Sequence, residues 1–377
     1  MILAGGVGSR VWPVSTPERP KQILPLASDR PLIADTVGRI APLVPMDRVR
    51  VLTGEDMVAP MQRAVDGLDD AHFLVEPQAR GTAPVLVWAA HTLARRDPDA
   101  VMVSLHADHV IRPEPAFREL IGRAAAAADA HDRLFTVGIR PTRPDTGYGY
   151  IRSGEALGDG AAGRTDRGGA GESSRGAGSG DASRGAGPGA DGGAGTYAVD
   201  AFVEKPDAAT AERYLESGIY LWNSGIFVWR VDRLLAEVRA VTPELAELLP
   251  LLDAGDVDGY FDAAPRLSID RGVLERSDRV GVMDATFDWD DVGTWDAVAR
   301  TRDGDPDGNV VEGGAHLVDA RGCVVWNETD EPVVVFGASD TVVVRRDGVT
   351  LVLPRDRAAD LKDLLDTLPD DIREAPE

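Results

Sequence analysis

The chain has 377 residues, 43% hydrophobic and 27% charged, enough apolar content for one large domain and a smaller companion. A formal net charge of −23 argues against nucleic acid or an anionic membrane as partner, since both would be repelled. The single cysteine, Cys323, excludes an internal disulfide and a multi-cysteine metal site, and neither a secretory leader nor a membrane-spanning apolar run is seen, so the cytoplasm is the expected compartment.

The first element is a short apolar run, Ile2 to Leu3, followed by the glycine-rich turn AGGVGSR. Gly5, Gly6 and Gly8 free the backbone N–H groups for close approach to phosphate oxygens, and Arg10 and Lys21 add positive charge. Lysine is otherwise almost unused: among 40 basic residues only Lys21, Lys205 and Lys362 are lysines. The loop is neither the usual phosphate loop, because no Gly-Lys-Ser/Thr follows, nor a dinucleotide fingerprint, because Val11 stands where a third glycine or alanine is needed.

Strands are then expected near Val49, at His72 and at Val101 and Leu134, alternating with helices over Met57 to Val65, Thr82 to Arg96 and Ala116 to Ala130. This alternation predicts an α/β fold with a doubly wound, mixed but mostly parallel sheet. Ligands of such sheets bind at the carboxyl ends of strands, where the segments Gly5 to Arg10, Glu76 to Thr82 and His106 to His109 fall. Residues 154–195 are a Gly-rich tract with too little apolar surface to order, expected as a flexible insert between the arms of a hairpin, TGYGYIR and TYAVDAFVEKP. From Gly308 to Pro354, short Val-rich runs separated by Gly, Asn and Asp turns predict a small β domain, such as a short β-helix or roll. DRAADLKDLLDTL reads as one closing amphipathic helix. The domains expected are therefore 1–303, an α/β domain carrying the insert, and 304–377, β-rich with a terminal helix.

The segments LAGGVGSRVWPVS, RPKQ, EPQARGTAP, HADHVI, TGYGYI, FVEKP, WNSGIF and WDDVGTW occur in this order between residues 3 and 295. In this order they resemble the sugar-phosphate nucleotidylyltransferases, most closely the mannose-1-phosphate guanylyltransferases. The resemblance implies transfer of GMP from GTP to mannose 1-phosphate with loss of pyrophosphate, assisted by Mg²⁺. It implies that Leu3, Ala4, Gly5, Gly6, Gly8 and Ser9 cradle the nucleotide, and that Arg10 and Lys21 offset charge on the leaving pyrophosphate. Asp108 and Asp291 are the implied metal ligands, with adjacent Asp290 as a competing choice. His106 and His109 beside Asp108 also suggest zinc, but no cysteine or further ligand at metal spacing accompanies them. Glu76 is the expected reader of guanine, whose ring N–H and exocyclic amine suit a carboxylate, and Arg80 and Thr82 join it at the nucleotide. Gly147, Glu204, Lys205 and Asn223 are expected at the sugar phosphate, with Trp222 and Trp289 in the core. Related proteins often pair through the β domain, which leaves a homodimer open, but the Val-rich segments are equally explained by that domain's own core.

Several features depart from the family pattern. The opening strand is short for a central one, Arg271 and Gly272 replace an aromatic and an alanine in SIDRGVLE near Asp270, and no isomerase domain is seen after the β domain, so the transferase activity alone is expected. Glucose 1-phosphate or UTP in place of mannose 1-phosphate or GTP, and a catalytically silent regulatory subunit, stay open as other readings.

Overall fold

The expected alternation of strand and helix is present in the computed structural model, which describes residues 1–6, 8–157 and 195–373. The chain falls into two units, one formed by Met1–Ala79, Leu105–Arg118 and Phe287–Glu377, the other by Arg80–Ser104 and Glu119–Thr286.

In the first unit the strands around the start of the chain are parallel. Ile2–Leu3 lies between Val51–Thr53 and the last residues of Val101–His106, and Phe73–Val75 pairs with the outer side of Val51–Thr53. Two residues suffice for the opening strand because both edges are bonded: Ile2 and Ala4 donate to Arg50 and Leu52 carbonyls, while Met1 and Leu3 carbonyls accept from Leu105 and Ala107. The helix Leu32–Ile40 buries Leu32, Ile33, Val37 and Ile40.

The β-rich end of the chain belongs to this unit. Val310–Glu312, Val324–Asn327 and Thr341–Arg346 form a parallel row, closed by antiparallel Val349–Pro354, while Ala315–Val318 and Val333–Phe336 form a second parallel pair. Strands thus alternate between two sheets as in a short β-helix. Cys323, Val325, Val335 and Val343 fill one cluster of this region. Val324, Trp326, Val342, Val344 and Leu351 pack in another with Val11, Trp12, Val14, Leu24 and Leu26, and Trp295 Nε1 donates to the Trp12 carbonyl at 3.0 Å. The chain just after the glycine turn is therefore anchored in a large apolar cluster. The expected terminal helix is instead a 3-10 segment, Arg355–Asp360, leading into Leu361–Leu365. The buried positions explain this: Ala358 and Leu361 are three residues apart, one 3-10 turn, whereas Leu361 and Leu365 keep the α spacing.

The second unit has a mixed sheet. Tyr220–Arg230 pairs antiparallel with the first part of Val101–His106 and with Leu134–Ile139, which is parallel to Val280–Asp284. Thr196–Val203 follows antiparallel, and Tyr150–Ala156 pairs with both it and the start of Tyr220–Arg230, closing a ring of strands. These are the two expected hairpin arms. Gly154 to Ala156 continue the first arm, and residues 158–194 of the Gly-rich tract lie outside the described residues. The fold is α/β with a mixed sheet, helices and a small C-terminal β region, as expected from the sequence. Among the described residues no helix is long and apolar enough to cross a membrane.

Candidate active site

The glycine turn begins where the strand Ile2–Leu3 ends and buried Ala4 closes it. Gly6 and Gly8 have φ of 85° and 82°, a left-handed backbone that disfavours other residues. Gln22 Nε2 donates to the carbonyls of Gly5 at 2.8 Å and Gly6 at 3.0 Å. Tying back these acceptors leaves the turn rich in donors. A Cβ on Gly8 would stand 2.7 Å from the Lys21 side chain, so this glycine makes room for the lysine stem. Ser9 and Arg10 open the 3-10 turn Ser9–Val11; Arg10 is exposed and makes no hydrogen bond or ion pair among the described residues.

Two short strands bring the aspartate loops of the first unit together. Val110–Arg112, just after Asp108, is antiparallel to Asp288–Asp290, just before Asp291, with Val110 opposite Asp290. Lys21 joins them: its Nζ lies 2.8 Å from Asp108 Oδ2 and donates to the Asp291 carbonyl at 3.4 Å. Burial would raise the Asp108 carboxyl, but the Lys21 ammonium leads the groups that outweigh it and hold the carboxyl at about 2. Asp290 serves a different purpose. Its Oδ1 accepts from Val292 N at 3.0 Å and its Oδ2 from Arg300 Nε at 2.9 Å. Asp291 Oδ1 accepts from Gly293 N at 3.2 Å. Between them Val292 is buried at φ 43°, an uncommon conformation for a β-branched residue, of the kind that costs about 1–3 kcal/mol and collects at functional sites.

The carboxylate oxygens of Asp108 and Asp291 are hard donors that suit Mg²⁺. His106, Asp108 and His109 bring their ligand atoms within 4.8 Å of one another, yet His109 does not suit a metal. Its Nδ1 accepts from Trp289 Nε1 at 3.2 Å, and burial depresses its pKa well below the usual value, so the ring is neutral with its proton on Nε2 and no lone pair to spare. Trp289, expected in the core, is only partly buried and acts as this donor. Glu76 follows the strand Phe73–Val75, and its N–H donates to the Thr53 carbonyl at 2.9 Å. Its Oε1 lies 4.0 Å from where a Gly5 Cβ would stand, and burial raises its carboxyl pKa.

The remaining candidates lie in the second unit. Arg80 Nε donates to the Phe261 carbonyl at 2.9 Å and its NH2 nitrogen to the Asp262 carbonyl at 3.2 Å. Thr82 Oγ1 accepts from Ile269 N at 2.9 Å, so both residues fasten the start of helix Thr82–Ala94 to the segment before Asp270. Asn223 is fixed from two sides: its Oδ1 accepts from Thr136 Oγ1 at 2.8 Å, and its Nδ2 donates to Asp270 Oδ1 at 2.8 Å. Glu204 and exposed Lys205 form an ion pair at 3.2 Å, and Lys205 has φ 48°. A Cβ on Gly149 would stand 2.7 Å from Glu204 Oε2, whereas Gly147 is exposed and its N–H donates to Asp145 Oδ1 at 2.9 Å. Burial, reinforced by the Glu204 charge, lifts Asp270 to about 6. The sequence reading gave Gln22 and Thr136 no role. Gln22 could have been found from its place directly after Lys21, but Thr136, inside an ordinary apolar strand, gives no such signal.

Residues 1–164 and 187–306 match the family of nucleotidyl transferases. The chain belongs to this family. The nucleotidyl transferase is 33% identical over 375 residues to the xanthan biosynthesis protein XanB of Xanthomonas campestris pv. campestris strain B100, an alignment covering 97% of the chain and 72% of that protein. It is 32% identical over 379 residues to a mannose-1-phosphate guanylyltransferase of Klebsiella pneumoniae, covering 98% of the chain and 73% of the relative. A crystal structure from Thermus thermophilus, described as a mannose-1-phosphate geranyltransferase, superposes with a TM-score of 0.80 at 33% identity and covers 97% of both chains.

Proposed function

We propose that this nucleotidyl transferase moves GMP from GTP to α-D-mannose 1-phosphate, releasing pyrophosphate and supplying GDP-mannose for nucleotide-sugar biosynthesis, with Mg²⁺ as cofactor. The observation that carries this reading is Lys21 lying beside the glycine turn with Asp108 and the Asp291 backbone within its reach. The relatives named as mannose-1-phosphate guanylyltransferases supply the substrate pair.

An oxygen of the sugar phosphate attacks the α-phosphorus of the triphosphate, a new P–O bond forms, and the bond to the β-phosphate oxygen breaks to release pyrophosphate. Negative charge accumulates on the leaving group, so the groups that matter are those holding positive charge or N–H donors against it. Backbone N–H groups of the Gly5, Gly6 and Gly8 turn, continuing into Ser9, cradle the phosphates from the end of the Leu3–Ala4 strand. Arg10, exposed and with no partner among the described residues, is available to the β- and γ-phosphates, and Lys21 adds a second cation. Asp108 and Asp291 would hold Mg²⁺, which supplies charge neutralisation of the phosphates when bound.

Glu76 reads guanine, accepting from the ring N–H and the exocyclic amine. Arg80 and Thr82 serve the nucleotide by fixing the loop they pin. Lys205 meets the sugar phosphate, and Glu204 and Asn223 bind hydroxyls near Gly147. The test is pyrophosphate release from GTP, UTP, ATP and dTTP, each with mannose 1-phosphate and glucose 1-phosphate, with and without Mg²⁺. Metal-dependent release confined to GTP with mannose 1-phosphate supports the proposal. Release with another pair moves the specificity, and none with any pair refutes transferase function.

A further inference from the structure

We propose that Arg39, together with Thr36, is a positioning residue that grips the loop Ala107–His109 by its carbonyls and so aims Asp108 at the divalent cation. The proposal rests on the reading of Asp108 as a metal ligand and goes beyond it, since neither residue carries a motif.

Arg39 sits on the last turn of the helix Leu32–Ile40 and is only 4% exposed. A buried guanidinium is costly, and Arg39 makes no ion pair within 4 Å among the described residues; Glu114 and Asp35 favour its charge only from farther away, and burial outweighs them. It donates instead to the His109 carbonyl at 2.8 Å and stacks over the Phe117 ring, 5.8 Å from its centroid. One turn earlier on the same face, fully buried Thr36 donates from Oγ1 to the Ala107 carbonyl at 3.3 Å. The two carbonyls belong to the residues immediately before and after Asp108. Two bonds from one rigid helix therefore hold the Ala107–Asp108 peptide plane and, one residue beyond the carboxylate, the His109–Val110 plane, so the loop is fastened before and after Asp108. The cost of the buried cation is explained if what it stabilises is the loop's direction.

The sign of the effect separates positioning from electrostatics. Losing a nearby positive charge should by itself tighten binding of a cation, so weaker metal binding in a variant that loses the Arg39 charge reports a misaimed carboxylate. The experiment is Mn²⁺ binding, followed by electron paramagnetic resonance of the free ion, on the intact chain with GTP present and no sugar phosphate. GTP affinity in the presence of a chelator is measured alongside. Arg39→Met should weaken Mn²⁺ binding about 10–100-fold, Arg39→Lys less, and Thr36→Val by a smaller factor, with metal-free GTP affinity unchanged. Unchanged or tighter Mn²⁺ binding in folded Arg39→Met overturns the proposal. Should that variant not fold, unchanged binding in both Arg39→Lys and Thr36→Val overturns it equally. Asp108→Asn distinguishes the two levels of the argument: if it leaves Mn²⁺ binding intact, the ligand assignment fails, whereas if it abolishes binding while the Arg39 and Thr36 variants do not weaken it, the clamp alone fails.

Discussion

Replacing Asp270 with asparagine should stabilise the protein, and the gain should grow with pH. The carboxyl is held at about 6 because burial, helped by the Glu204 charge, penalises its ionised form more than the Asn223 hydrogen bond and Lys205 favour it. A carboxyl raised in this way contributes its full stability below its unfolded value and loses that contribution as pH rises through the folded value. From 3.8 to about 6, at about 1.4 kcal/mol per pH unit, the native state gives up about 3 kcal/mol by the time Asp270 is fully ionised. Roughly half of this falls between about pH 5 and about pH 8, because ionisation in the unfolded chain is already well advanced at the lower value. Asparagine keeps an oxygen to accept from Asn223 Nδ2 and carries no charge. Denaturant unfolding of both proteins without substrates, followed by tryptophan fluorescence at the two pH values, should show the variant's advantage widening by about 1.4 kcal/mol toward alkaline pH. A difference independent of pH, or an advantage that shrinks as pH rises, would refute the account of a desolvated carboxylate.

Three further outcomes follow from the first unit. Gly8→Ala should cost about 1–3 kcal/mol in thermal stability, because the new Cβ meets Lys21 at 2.7 Å on a backbone with φ of +82°, and pyrophosphate release should fall with it; unchanged melting and turnover would contradict this. Arg10→Ala should leave stability within about 0.5 kcal/mol, since the side chain is exposed and makes no hydrogen bond or ion pair among the described residues, yet lower kcat about 10²–10³-fold; a large change in melting temperature with intact kcat would reverse the assignment. Glu76→Gln should shift the ratio of kcat/KM for GTP over UTP by at least about tenfold toward UTP, because an amide offers the N–H that a carboxylate lacks; an unmoved ratio would remove Glu76 from base recognition.

How much of this was legible in the sequence depended on whether each feature is local. The strands at Val101 and Leu134, the helices at Thr82 and Ala116 and the two arms around the Gly-rich tract carry their own periodicity, and each forms where expected, give or take end residues. The glycine turn was legible for the same reason: positive φ at Gly6 and Gly8 is a property of the residues themselves. The closing helix was misread because an apolar stripe does not distinguish a three-residue step from a four-residue step in its first turn, and Ala358 to Leu361 takes the shorter one.

What could not be read is the part of the site made by distant pairing. Val110–Arg112 and Asp288–Asp290 have three residues each, too few to show alternation, and only their antiparallel bonding brings the Asp108 and Asp291 loops beside Lys21. That pairing also puts Trp289 at His109, turning an apparent core aromatic into the donor that removes a histidine from the list of metal ligands. Asp290 and Asp291 are adjacent and of one type, separated in the sequence only by the motif position before Val292 and Gly293, and their different partners, Arg300 and the Val292 N–H for Asp290 and the Gly293 N–H for Asp291, appear only in the fold. The same holds for Arg39: on the helix Leu32–Ile40 it reads as an ordinary polar position, and its burial against the His109 carbonyl follows from where the strand ending at His106 delivers the loop. The residue types suited to the proposed chemistry were visible from the start, but the partners that tell one aspartate, histidine or arginine from another are long-range contacts, which no local pattern carries.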